Sequence, residues 1–160
     1  MEELFIIIVD DQREVLTTVS KDLEVLSDYI TIEECESAGE TLELLDQIDE
    51  EGNYVAVIIS DHVMPGKNGV ELLSEISQDA RFRASKKILL TGLATHEDTI
   101  NAINQASIQR YVEKPWEKET LLNIVKELLT RFVLEKGMDY EEIQPILDND
   151  VIIEFARKGY

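Results

Sequence analysis

Five short apolar runs alternate with segments of helical periodicity along this chain, and that alternation constrains the fold more than any other feature. The apolar runs predict strands near residues 4–9, 30–36, 55–60, 87–91 and 109–113. The other segments predict helices near residues 13–27, 38–50, 68–79 and 96–105, with a fifth helix from about residue 117. The first and third runs are almost continuously apolar, which is typical of strands covered on both faces. The sequence therefore predicts an α/β fold, a doubly wound parallel sheet with right-handed crossovers.

The charge balance narrows the range of partners. Thirty-four acidic residues against fifteen basic ones give a net charge of -19. Such a charge repels a phosphate backbone, so we expect no direct nucleic-acid contact by this segment. The first apolar run ends at Asp10 and is too short for a signal peptide or a membrane span, which predicts a cytoplasmic protein. Cys35 is the single cysteine, so an internal disulfide is excluded and a buried thiol is predicted.

Polar side chains follow four of the predicted strands, at the point where each strand ends. They are the pair Asp10 and Asp11, then Asp61, Thr91 and Lys114. The carboxyl ends of parallel strands meet at one edge of a sheet, where such sheets bind ligands, so we expect these side chains to converge. Three carboxylates repel one another unless a cation neutralises them, and Mg²⁺ takes carboxylate oxygens as ligands. With a metal and Lys114 nearby, Asp61 can attack phosphorus and form an aspartyl phosphate, whose oxygens Thr91 and Lys114 can bind.

In this combination the chain resembles the receiver domains of two-component response regulators. The resemblance rests on Asp10-Asp11, Asp61-His62-Val63-Met64-Pro65-Gly66, Thr91-Gly92 and Tyr111-Val112-Glu113-Lys114-Pro115. Any one of these segments alone is a weak signal, whereas all of them in this order are specific. The match covers about residues 1–131 and implies a flavodoxin-like fold with strand order 2-1-3-4-5.

The resemblance also implies which residues hold the phosphoryl group and the metal. Asp61 would accept a phosphoryl group from a phosphohistidine on a sensor histidine kinase or a phosphotransfer protein. Asp11 and Asp61 would bind Mg²⁺, or Mn²⁺ in its place, directly. Asp10 would act mainly through water, and Val63 would contribute its backbone carbonyl. A domain of this kind is a regulatory phosphoacceptor rather than an enzyme, with slow self-dephosphorylation at most.

A switch and its readout surface are implied in the same way. Thr91 would shift toward the phosphate and Tyr111 would swing inward. These movements would change the surface formed by the fourth helix, fifth strand and fifth helix, which would meet a downstream output domain or protein. The Lys114–Pro115 peptide bond would be cis.

Several of these residues have simpler interpretations. Asp11, with Glu14 three residues later, fits a capping box at the start of the first helix, a role that does not exclude metal binding. Asp61 taken alone fits a turn before Pro65-Gly66. Trp116 fits either packing, which we favour, or a contact on the partner surface.

Two other functions share some of these features. A Mg²⁺-dependent phosphatase of the haloacid dehalogenase type also forms an aspartyl phosphate on a parallel sheet. Its first strand needs Asp-x-Asp, whereas Asp10 and Asp11 are adjacent here and the nucleophile candidate Asp61 follows the third strand. A phosphate-independent scaffold with the receiver fold would not need every chemical position, and all five are filled.

Residues 132–160 extend past the part that resembles a receiver. The fifth helix carries an apolar stripe made by Leu121, Val125, Leu128 and Phe132. Gly137 is predicted to end this helix, while Asp139 and Asp150 are predicted to begin two short helices, the first disturbed by Pro145. The stripe must be covered. The tail folds back on its own domain, joins a twofold partner in a homodimer, or opens an output region; the sequence leaves all three open.

Overall fold

Five parallel strands form one sheet in the order β2-β1-β3-β4-β5. The protein was analysed as a computed structural model that describes residues 2–92, 97, 100, 104 and 106–158. The strands are β1 (Leu4–Val9), β2 (Thr31–Cys35), β3 (Tyr54–Ser60), β4 (Lys86–Thr91) and β5 (Arg110–Glu113). Every neighbouring pair is parallel. The predicted fold class and strand order are therefore confirmed.

Within the part of the chain that the structure describes, helices connect β1 to β2, β2 to β3 and β3 to β4, and helices cover both faces of the sheet. The α-helices are α1 (Arg13–Asp22), α2 (Ala38–Glu50), α3 (Gly69–Gln78), α4 (Lys118–Lys136) and α5 (Asn149–Arg157). Short 3-10 helices span Glu24–Leu26 and Glu141–Ile146. The predicted fourth helix, near residues 96–105, falls mostly outside the described residues. The predicted fifth helix, from about residue 117, is therefore labelled α4. Among the described residues, none of the helices combines the length and apolar character that a membrane span requires.

Alternation along β1 divides the interior into two layers. Ile6 and Ile8 face the layer that contains residues of α1 and α4, while Phe5, Ile7 and Val9 face the layer beneath α2 and α3. All of β1 is buried. A central strand covered on both faces is what its continuous apolar run predicted.

The start of α1 corrects the prediction of a capping box at Asp11. Gln12 is the N-cap residue, and its side chain makes no capping hydrogen bond. Instead, the Gln12 N–H donates to Asp10 Oδ1 at 2.8 Å, because the chain leaves β1 in a tight turn built on Asp10. The exposed Asp11 carboxylate is thus not used for capping.

The C-terminal tail packs against its own domain. Helix α4 ends at Gly137, which has the left-handed backbone conformation (φ 68°) predicted for a helix-ending glycine. Beyond it, Ile146 and Leu147 are buried in the same layer as the α4 stripe, and Ile152 packs against that layer. The N-cap of α5 is Asp148 rather than the predicted Asp150, because the Asp148 side chain accepts the N–H groups of residues 150 and 151. The stripe is therefore covered within one chain.

Candidate functional site

The carboxyl ends of four strands bring the predicted site residues to one edge of the sheet. Asp10 and Asp11 follow β1, Asp61 follows β3, Thr91 ends β4, and Lys114 follows β5. Backbone hydrogen bonds fix these strand ends relative to one another. The Asp61 N–H donates to the Val9 carbonyl at 2.9 Å, and the Lys114 N–H donates to the Thr91 carbonyl at 3.3 Å.

Three carboxylates form an acidic cluster at this edge. Asp10, Asp11 and Asp61 each offer an oxygen, and these oxygens lie within 4.8 Å of one another. Asp10 and Asp61 are buried, with 2% and 7% of their surface exposed, whereas Asp11 is exposed. Mg²⁺ binds oxygen ligands at about 2.0–2.1 Å and usually keeps several waters, so a half-open cluster of carboxylates fits it. Mn²⁺ accepts the same hard oxygen ligands.

Lys114 places a positive charge against the cluster. Its Nζ lies 2.9 Å from Asp10 Oδ2 and 3.4 Å from Asp61 Oδ1. Burial raises the pKa of Asp10, and the hydrogen bond from Lys114 lowers it only in part. The ammonium thus contacts both Asp10 and Asp61, while the lysine side chain stays partly open to solvent.

Thr91 on β4 and Tyr111 on β5 are joined by a hydrogen bond, although Tyr111 is paired with Leu89 in the sheet register. Thr91 is 1% exposed, and the Tyr111 hydroxyl donates to the Thr91 backbone carbonyl at 3.3 Å. Tyr111 is half-buried, and desolvation raises the pKa of its phenol. The structure therefore brings the two predicted switch residues into contact; their movement stays a prediction.

The loop after β3 holds the Asp61 backbone against the start of α3. Val63 lies two residues past Asp61 with its side chain 49% exposed, and its carbonyl as a metal ligand stays a prediction. A Cβ on Gly69 would lie 2.1 Å from the Asp61 carbonyl oxygen, so only glycine fits here. No pattern in the sequence predicted this role for Gly69. The available signal was a glycine at the first position of a helix, directly after its Asn68 cap.

Trp116 lies on the link between β5 and α4, two residues after Lys114. The Lys114–Pro115 peptide bond is cis, as the resemblance implied. The Trp116 ring packs against the core layer beneath α1 and α4, which confirms the packing interpretation. Its Nε1–H also donates to Asp22 Oδ2 at 2.8 Å. Asp22 was not predicted as the partner of Trp116, because no local sequence pattern connects residues so far apart along the chain.

Comparisons with known proteins agree with this geometry. The family model described as "Response regulator receiver domain" matches residues 6–126. The "Hydrogenase transcriptional regulatory protein HoxA" of Cupriavidus necator is 30% identical over 83% of this chain, which spans 26% of that relative. "Response regulator Rre1" of Synechocystis is 28% identical over 81% of this chain, which spans 53% of that relative. A solved signal receiver domain of an HD domain-containing protein from Pseudomonas fluorescens Pf-5 superimposes with a TM-score of 0.74. It is 28% identical, and the match covers 86% of this chain and 94% of that one.

Proposed function

This chain belongs to the response regulator receiver family, and from that premise we propose that Asp61 accepts a phosphoryl group in a Mg²⁺-dependent reaction and thereby switches a partner-binding surface. The domain is a receiver of two-component response regulators, which are regulatory phosphoacceptors. One observation carries the assignment to Asp61. Its carboxylate lies in the acidic cluster 3.4 Å from the Lys114 ammonium, and, unlike Asp10, which shares both contacts, Asp61 begins the Asp61–Gly66 segment on which the family resemblance rests. The family match supports a receiver over the alternative of a haloacid dehalogenase-like phosphatase.

In the proposed reaction, a carboxylate oxygen of Asp61 attacks the phosphorus of a phosphohistidine on the donor protein. A phosphorus–oxygen bond forms, the phosphorus–nitrogen bond breaks, and the electron pair leaves with the donor imidazole. The Lys114 ammonium pairs with the oxygens of the transferred group, and the Thr91 hydroxyl donates a hydrogen bond to one of them. A bound Mg²⁺ supplies neutralisation of the negative charge on those oxygens.

The ligand assignment for the metal follows the resemblance to receiver domains, and the order of exposure in the cluster supports it. We assign direct coordination to Asp11 and Asp61, an indirect role through water to Asp10, and a backbone carbonyl contact to Val63. The 2.9 Å pairing of Asp10 with Lys114 supports the indirect role, because this carboxylate already has a positive partner. Mn²⁺ is the expected substitute, since it accepts the same oxygen ligands.

In the proposed switch, the new negative charge at the site changes the conformation of β5 and α4. A phosphoryl group adds about -1.5 to -2 charges in other phosphorylated side chains, and a similar charge on Asp61 would draw Lys114 and Thr91 toward it. Tyr111 would follow, since its hydroxyl is bonded to the Thr91 carbonyl. Phosphorylation would then bias an existing equilibrium between two conformations of this face.

The partners proposed for the domain follow from its family and charge. Receiver domains interact with histidine kinases and output domains. We propose a sensor histidine kinase or a phosphotransfer protein as donor, and a downstream output domain or protein as receiver of the signal, in the cytoplasm. The charge of -19 favours a basic partner surface and opposes direct contact of this segment with nucleic acid.

We also propose that residues 1–131 act as the receiver and that the tail from residue 132 onward is an accessory to it. The continuous helix α4 crosses this boundary, so the accessory segment is joined rigidly to the receiver. The buried tail residues favour an intramolecular role over a homodimer formed through the α4 stripe.

A labelling experiment tests the phosphoacceptor. The protein, Asp61→Asn and the matched exposed control Asp150→Asn are incubated with Mg²⁺ and acetyl phosphate, then weighed intact. We expect one added phosphoryl mass on the parent and on Asp150→Asn, none on Asp61→Asn, and none when Mg²⁺ is chelated. Labelling that persists in Asp61→Asn would refute the assignment. A parent that takes up no phosphoryl group from acetyl phosphate or a phosphohistidine donor would favour the scaffold instead.

A further inference from the structure

The Trp116–Asp22 hydrogen bond joins the link that carries Lys114 to the end of α1. Asp22 is the last residue of α1, and residues 114–117 connect β5 to α4. The bond from Trp116 Nε1 to Asp22 Oδ2 is 2.8 Å long and involves a carboxylate. Hydrogen bonds to an ionised acceptor are about twice as strong as neutral ones.

This bond supplies a lateral restraint that the backbone of the link does not. Lys114 bonds β4 through a 3.3 Å contact between its N–H and the Thr91 carbonyl. Pro115 has no N–H to donate. Glu117, the N-cap of α4, makes no side-chain capping bond. The indole ring, half-buried against the core and bonded to α1, is thus well placed to hold the link.

The position of the link matters because the lysine stem is flexible. A lysine ammonium lies on a four-carbon stem with many rotamers, so fixing its Cα reduces the positions that Nζ can reach. Lys114 Nζ has to meet Asp10 and Asp61 at 2.9 and 3.4 Å before phosphorylation. In the proposed function it must then meet the phosphoryl oxygens. Misplacement of a charged group by about 1 Å can cost as much as 10²-fold in rate.

We propose that Trp116 and Asp22 are positioning residues for phosphoryl transfer: their hydrogen bond fixes the link so that the Lys114 ammonium is held at Asp61. This inference rests on the proposed function and extends it to α1. Neither residue contacts the phosphoryl group; both act through Lys114.

Four variants separate positioning from packing. Trp116→Phe keeps an aromatic ring and removes the N–H donor, whereas Asp22→Ala removes the acceptor. Asp22→Asn keeps an acceptor oxygen and should rescue the bond in part. Asp28→Ala is the matched control, since Asp28 is an exposed acid soon after α1. The rate of labelling by acetyl phosphate with Mg²⁺ is measured by intact mass, and the melting temperature of each variant is recorded.

We expect Trp116→Phe and Asp22→Ala to slow labelling by similar factors, on the order of tenfold, as the loss of one charge-assisted hydrogen bond predicts. The double variant Trp116→Phe/Asp22→Ala should label no more slowly than either single variant, because the two substitutions remove the same hydrogen bond. Asp28→Ala should label at nearly the parental rate, and Asp22→Asn, whose amide oxygen is a neutral and weaker acceptor, should label faster than Asp22→Ala but more slowly than the parent. If Trp116→Phe does not fold, the Asp22→Ala and Asp22→Asn pair provides the same comparison.

Parental labelling rates in Trp116→Phe and Asp22→Ala, with lowered melting temperatures, would overturn the inference and leave Trp116 a packing residue only. Additive effects in the double variant would overturn it as well. These outcomes differ from failure of the proposed function, in which the parent itself takes up no phosphoryl group at Asp61.

Discussion

Lys87 brings a positive charge into the interior at β4. Its side chain is fully buried, and its Nζ donates to the Ser85 carbonyl at 2.7 Å and the Phe82 carbonyl at 3.5 Å. Burial lowers the pKa of Lys87 from 10.5 to about 8, with a smaller contribution from the neighbouring Lys86. Backbone carbonyls solvate the ammonium only in part, so the charge opposes folding at neutral pH.

We expect Lys87→Met to stabilise the domain at pH 7. The shift from 10.5 to about 8 corresponds to a penalty of about 3 kcal/mol. Loss of the partner of the Ser85 carbonyl offsets part of it, so the net gain should be about 1–2 kcal/mol. The penalty is complete below pH 8. It falls as pH rises from 8 toward 10.5, because the folded protein releases the proton while the unfolded chain still holds it.

Urea unfolding of the parent and Lys87→Met between pH 7 and 10 measures this difference, with the exposed Lys118→Met as control. The advantage of Lys87→Met should shrink across that range. A difference that stays constant with pH would contradict the buried-charge explanation.

Gly69 is fixed by the approach of the Asp61 backbone. We expect Gly69→Ala to displace the loop that carries Asp61, lowering the free energy of unfolding by about 1–3 kcal/mol and slowing phosphorylation. Gly39→Ala is the matched control, since a Cβ there meets nothing within 4 Å. In helix α2 it should stabilise by about 0.5–1 kcal/mol without changing labelling. Equal effects of the two variants in urea unfolding and acetyl phosphate labelling would disprove the proposed contact.

The site residues that directly follow a predicted strand could be predicted from the sequence. Asp10, Asp61 and Lys114 each follow an apolar run, so the convergence of strand ends in a parallel sheet predicted that they lie together. The partner of Trp116 and the close contact at Gly69 were not predictable. Both depend on packing between segments far apart in sequence, and a single chain carries no local pattern for such contacts.

At the level of elements, α4 and the tail form one packed unit. Thr130 on α4 is fully buried; its hydroxyl donates to the Lys126 carbonyl at 2.6 Å and accepts the Asp148 N–H at 2.8 Å. Val151 on α5 is 6% exposed, whereas Ile153 on the same helix is 51% exposed. Sequence periodicity predicted that the α4 stripe needed a cover, but three covers were equally compatible with it.

Two aspartate substitutions on α5 test the cover. Val151→Asp would place a carboxylate on the buried side of α5 and should lower the free energy of unfolding by about 2–4 kcal/mol. Ile153→Asp, on the exposed side, should change it by no more than about 0.5 kcal/mol. Urea unfolding gives both values, and limited proteolysis should show faster cleavage of the tail in Val151→Asp only. Similar behaviour of the two variants would mean that the tail does not dock in this way.

Across the whole molecule, the tail and the acidic cluster lie at opposite ends of the strands. The cluster lies at the carboxyl ends of the strands, whereas Met138 and Ile143 line a cavity of about 710 Å³ with Leu4 and Tyr54, at the amino ends of β1 and β3. The family match ends at residue 126, so the tail is additional to the matched domain. The alternation of strands and helices predicted a parallel sheet, and the resemblance to receiver domains implied its strand order. The path of the tail depends on which surface its few apolar residues reach, and sequence alone left that open.

The single tryptophan of the chain is Trp116, which lies two residues beyond Lys114 and donates a hydrogen bond to Asp22. Indole fluorescence responds to hydrogen bonding and to nearby charge. The ultraviolet emission of the unlabelled protein therefore reports the state of the lysine link without background from other indoles. A stopped-flow trace of that emission would follow an encounter with a phosphodonor in real time, with no dye attached.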